Sequence, residues 1–171
     1  TNAARYSGRL RRGGVRAHLV ATTAVAALLA VTSAHAQDAT WQRFPGSGDF
    51  NTAGNWNPAT VPTGTAFFGN SSITDLTFNL GAANSLGGFL FNNALSGAYS
   101  FSLAPLSSLT FTGAGIQNFA GIPVQITNSG TVTFAGTSSA GNATIANNFQ
   151  LLFTNSSTAG NATITTNGIT T

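Results

Sequence analysis

From Thr65 onward, apolar and polar residues take turns along the chain. Tyr99, Phe101 and Leu103 alternate with Ser100 and Ser102, Leu109 and Phe111 flank Thr110, and Val132 and Phe134 flank Thr133. The stretches TAFFG (65–69), ITDLTFNL (73–80), GGFLFN (87–92), AYSFSL (98–103) and SLTFTG (108–113) follow this rule. So do VQITN (124–128), TVTFAG (131–136), NATIAN (142–147), LLFTN (151–155) and NATITTN (161–167). An extended backbone points successive side chains to opposite sides, so each stretch predicts a half-buried β-strand bounded by Gly, Asn and Ser turns. No segment after Val31 carries a helical period. The pattern predicts an all-β fold.

The interval between these stretches narrows the choice. GTSSAGNATIANN (136–148) returns as NSSTAGNATITTN (155–167), and nine of the fifteen residues from Phe134 to Asn148 recur between Phe153 and Asn167. Ile126, Ile145 and Ile164 stand 19 apart, as do Phe134 and Phe153. At about 3.3 Å per residue such a repeat closes a flattened coil at most ~60 Å around. Stacked coils put like residues about 4.8 Å apart, and each coil covers the apolar edge of its neighbour. A sandwich of hairpins gives no reason for a constant interval. The expectation is a parallel β-helix with about 19–23 residues per coil and room for about five coils over residues 65–171. Ile126, Ile145 and Ile164 would form one interior ladder, Phe134 and Phe153 another. Asn142 over Asn161 and Asn148 over Asn167 would form amide ladders at the turns. GAGIQNFAGIP (113–123) reads as an expanded turn.

Residues 37–64 break the pattern. They hold Trp41, Trp56 and three of the five prolines, with turn-forming pairs throughout. The segment reads as an irregular aromatic cap whose tryptophans close the first rung, or alternatively as stacking platforms for sugar rings. Residues 1–36 differ again: five arginines within the first sixteen, then the apolar run LVATTAVAALLAV from Leu19 to Val31, then Ala34-His35-Ala36. That order predicts a secretory signal helix cleaved after Ala36, leaving Gln37 as the first residue. The apolar run is shorter than the roughly 20 residues of a spanning helix.

The signal segment also explains a misleading charge. The chain carries +3 at pH 7 and an isoelectric point near 10.7. Residues 37–171 keep only Arg43 against Asp38, Asp49 and Asp75, a net −2. Nucleic acid binding needs clustered cations and is excluded as a main role. The same residues contain no Cys, His, Lys, Glu or Met. Ser-His-Asp or Cys-His catalysis and His- or Cys-based metal sites therefore lack their parts, and no cofactor is implied. Asp49 and Asp75 read as turn-capping aspartates rather than an acid–base pair. Asn-x-Ser/Thr triplets at Asn70, Asn142, Asn155 and Asn161 follow from the composition. Thr131, Thr133, Thr144, Thr163 and Thr165 form broken columns, unlike the regular threonine rows of ice-binding solenoids. The chain opens on Thr1 and stops at Thr171 within a repeat, so it reads as a fragment.

The Arg-rich leader, GNWNPATVPTGTAFFG, SLTFTGAGI, QITNSGTVTF, GTSSAGNATI and FTNSSTAGNATI together resemble the N-terminal passenger region of bacterial autotransporters. That resemblance implies a right-handed parallel β-helix exported by the inner-membrane secretion machinery and held outside the cell by its own C-terminal outer-membrane β-barrel. It implies a non-enzymatic surface stalk with an adhesive role toward a surface or carbohydrate ligand. Two alternatives stand beside it: a scaffold for an enzyme whose active site lies elsewhere, and a released extracellular matrix protein.

Overall fold

A computed structural model describes residues 36–92 and 97–171. Apart from Ala36, the predicted signal segment, Ala34 included, lies outside the described residues. The strands are β1 (Ala39–Trp41), β2 (Trp56–Asn57), β3 (Thr65–Phe68), β4 (Asp75–Phe78), β5 (Ala83–Phe91), β6 (Tyr99–Leu103) and β7 (Ser108–Asn118). They continue as β8 (Val124–Asn128), β9 (Thr131–Phe134), β10 (Thr144–Asn147), β11 (Gln150–Phe153), β12 (Thr163–Thr166) and β13 (Ile169–Thr170). From β3 on, the chain visits two sheets in turn. The even strands build a five-stranded sheet in the order β4-β6-β8-β10-β12, and the odd strands extend an eight-stranded sheet ordered β2-β1-β3-β5-β7-β9-β11-β13. Every neighbouring pair is parallel except the β1–β2 hairpin. The fold is an all-β parallel solenoid of about six turns, one more than the repeat count predicts.

The eight-stranded sheet turns a corner inside β5 and β7. In β5 the buried residues are Asn84 and Leu86, then Phe89 and Phe91, so the in–out phase flips between them. The register shift lies at the same place, between Leu86 and Gly88. A phase flip lets both halves of one strand face the same interior, so each coil there has three faces. Thr65–Phe68 pairs with Gly88–Phe91, and Gly88–Phe91 pairs with Gly115–Asn118. Beyond that the third face shrinks to single bridges, Gly115 with Ser139 and Ser139 with Thr158. Residues 113–118 are therefore strand, not part of an expanded turn; only 119–123 turn the corner. Glycines make a turn signal in isolation, and a neighbouring coil converts them to a ladder. Gly115 is required there: its φ is +77°, and a Cβ would collide with the Ser139 carbonyl.

Coil length shortens as this face shrinks. Partners 27 residues apart (Gly88 with Gly115), 25 apart (Tyr99 with Val124) and 23 apart (Ser108 with Thr131) give way to the 19 of Gln125 with Thr144. The range thus extends past the predicted 23. At the N-terminal end, β1 already forms a rung against β3, pairing Ala39 with Ala66. Trp41, Trp56 and Phe50 are buried above it, with Trp56 edge-on to both Trp41 and Phe50 at 4.9 Å and Phe50 stacked on Phe78 at 4.4 Å. These three rings occupy the N-terminal end of the apolar core.

Candidate functional site

The interior ladders are built from residues singled out by their interval. Ile145 is in register with Ile126 on one side and Ile164 on the other. Phe134 pairs with Phe153, their rings 5.2 Å apart and within 9° of parallel. The amide ladder runs elsewhere than through Asn142 and Asn161, whose side chains are exposed and not bonded to each other. It is carried by Asn128 and Asn147, which close VQITN and NATIAN at the same 19-residue interval. Asn128 Nδ2 donates to Asn147 Oδ1 at 2.8 Å and to the Gln150 carbonyl at 2.7 Å. One coil on, Asn147 Nδ2 donates to Thr166 Oγ1 at 3.1 Å and to the Ile169 carbonyl at 2.9 Å. Both asparagines are fully buried, so each bond satisfies a group that water cannot reach. The Asn167–Asn148 bond is long, 3.4 Å, and exposed.

Trp41 and Trp56 do not offer sugar platforms. Their indole N–H groups donate inward, to the carbonyls of Ile73 and Phe50, and both rings are buried. The threonines fall on different faces: Thr131 and Thr133 on the eight-stranded sheet, Thr144, Thr163 and Thr165 on the five-stranded one. Each carboxylate has a structural partner. Asp49 accepts from the Asn51 amide and the Thr52 hydroxyl, both at 2.9 Å, and so closes an Asx turn. Asp38 accepts the Thr65 amide at 2.6 Å. Asp75 lies within β4, not in a turn, and accepts the Ser100 hydroxyl from the next coil. Gln37, at the predicted cleavage point, is tied to the cap: its carbonyl accepts the amides of Thr63 and Gly64.

A surface of different character lies at the edge of the cap, on residues the periodicity did not mark. In WQRFP, Trp41 and Pro45 turn inward while Arg43 and Phe44 turn outward, and Phe44 is 73% exposed. The backbone beneath them is pinned from both sides. The Gln42 amide donates to the Asn55 carbonyl at 3.0 Å, and the Gln42 side chain donates to the carbonyls of Gly54 and Trp56. From the first coil, the Ser71 hydroxyl donates to the Gln42 carbonyl and the Ser72 amide to that of Arg43. Arg43 lies 5.5 Å from the centroid of the Phe44 ring. It is the only cation among the described residues, and none of their carboxylates forms an ion pair with it.

Two clefts flank this pair. One, about 360 Å³, is lined by Arg43, Phe44, Asn70, Ser71 and Ser72; the other, about 450 Å³, is lined by Thr40, Trp41, Gln42, Arg43, Phe44 and Asn57. The first is backed by Tyr99, whose hydroxyl donates to the Gly69 carbonyl at 2.7 Å. Burial pushes the Tyr99 phenol up to about 12, against a smaller lowering by its bond to Ser71. The phenol therefore stays protonated and holds the Gly69–Ser72 corner in place. Chemically the surface offers one guanidinium, one apolar ring face and several amides and hydroxyls. Comparison with protein family models, with characterised proteins and with solved structures finds no match.

Proposed function

We propose that this chain is a non-catalytic, exported solenoid: the stalk-like N-terminal part of an autotransporter passenger, presenting polar faces at the cell surface for adhesion. The observation that carries the reading is the division of labour between inside and outside. Aromatic, Ile, Val and Ala side chains fill the interior coil after coil, Ser, Thr and Asn cover the outside, and all three carboxylates serve the backbone or a neighbouring coil. Such a column extends by adding coils and needs no chemistry of its own. The Arg-rich leader and the Ala-His-Ala site support export. The secretion machinery of the inner membrane and a β-barrel encoded downstream are the partners this reading requires.

The test is to express the full reading frame in its native cells, shave intact cells with protease and determine the N-terminus of the released chain. The expected result is a chain beginning at Gln37 and cleaved from the outside. A protected protein that retains residues 1–36 would overturn the proposal.

A further inference from the structure

We infer that the cap edge around Arg43 and Phe44 is a binding site for a carboxylate-bearing sugar. The inference deepens the surface-display reading and rests on it. Three observations lead there. First, Phe44 is a large ring held outward on a backbone anchored by hydrogen bonds from both the cap and the first coil, so its exposure is built in rather than a consequence of looseness. An aromatic face of this kind takes up the C–H face of a pyranose, burying apolar area on both partners with little ordering cost. Second, Arg43 is the only positive charge among the described residues and has no carboxylate partner there, while three aspartates give the rest of the surface a negative balance. A planar guanidinium matches a carboxylate in a two-pronged, charge-assisted pair. Third, the clefts on either side place Ser71 and Asn70 in one and Gln42 and Asn57 in the other, the amide and hydroxyl groups that sugar hydroxyls pair with.

Neither a neutral sugar nor a simple anion uses the whole arrangement. A neutral sugar leaves the guanidinium unused, and a small inorganic anion leaves the ring uncovered. A uronic or sialic acid satisfies both. The two sources share the chemistry and differ in where the carboxylate sits: along a polymer for uronates, at a chain terminus for sialic acid.

Isothermal titration of the chain with a galacturonic acid trisaccharide, with sialyllactose, and with their neutral counterparts tests the idea. The expected result is binding of one acidic probe at least about tenfold tighter than its neutral counterpart, weakening with added salt. Arg43→Gln should remove the preference for the acidic probe, and Phe44→Ala should weaken acidic and neutral probes alike by about tenfold. Both side chains are exposed, so neither change should alter the circular dichroism spectrum or the melting temperature, and that control reports folding separately. Equal affinity for acidic and neutral probes, undiminished acidic binding by Arg43→Gln, or no heat with any probe at millimolar concentration would overturn the site. Those outcomes leave the export experiment untouched, so the two readings fail independently.

Discussion

Between Phe50 and Phe111 the interior is a continuous pile of rings; beyond Ile116 it is mostly Ile, Val, Leu and Ala. In the first region Phe68 stacks on Phe91 and Phe89 on Phe101, each at 4.8 Å, and Phe89 meets Phe111 edge-on at 4.9 Å. In the second, only Phe134 and Phe153 continue a ring column, beside Ile126, Ile145, Val132, Ala140 and Ala143. The third face shows why the coils differ in length. Phe89 is in register with Ile116, and the residues one step past the single bridges are Ala140 and then Ala159. As the side chain on that face shrinks from Phe to Ile to Ala, the perimeter falls to 19 residues. Interiors are packed to near-crystalline density, so a coil can be no wider than what fills it.

The sharpest way to break this comparison is to hollow out the wide region. Phe89→Ala should cost about 3–5 kcal/mol in urea unfolding, because the lost ring touches four others and the rigid sheets cannot collapse onto the hole. A loss under about 1 kcal/mol would mean the rings do not set the width. In the narrow region the corresponding support is polar. Asn147→Ala removes the acceptor for Asn128 and the donor for Thr166 and the Ile169 carbonyl, and should cost about 1–3 kcal/mol by the same measurement. A smaller, pH-dependent effect belongs to the wide region. Tyr99 titrates near 12 when folded and at 10.0 when unfolded, so its contribution is complete below pH 10 and is lost as pH rises toward 12. Stability should fall there on the order of 1.4 kcal/mol per pH unit from this residue, and Tyr99→Phe should flatten that part of the profile.

Much of the architecture was legible because both periods in the sequence have direct physical causes. The two-residue alternation marks sidedness, and the 19-residue recurrence marks stacking, so Ile126, Ile145 and Ile164 could be aligned from the sequence. The wide coils were harder to read. Their residues fill a larger volume by different means in each turn, so Gly88 and Gly115 share a rung without sharing a phrase. The buried Asn128–Asn147 amides were visible in the interval, but Asn142 and Asn148 share it, and sequence gives no sign of which asparagine faces inward. The cap edge left no periodic trace. Nothing in WQRFP distinguishes the outward Phe44 from the inward Phe50; that depends on hydrogen bonds from Gln42, Ser71 and Ser72 that only the folded chain brings together.

The single bridges at Ser139 and Thr158 also bear on how such a molecule can change over time. Two ladders hold each late coil in place, and the third side is joined to its neighbours at one residue, so that side behaves as a seam. Chain can be added or deleted along it without moving the register of β9, β10, β11 or β12. Loops of new sequence could therefore be grafted between Ser138 and Asn142 or between Ser157 and Asn161, leaving the stacked interior to carry whatever they present.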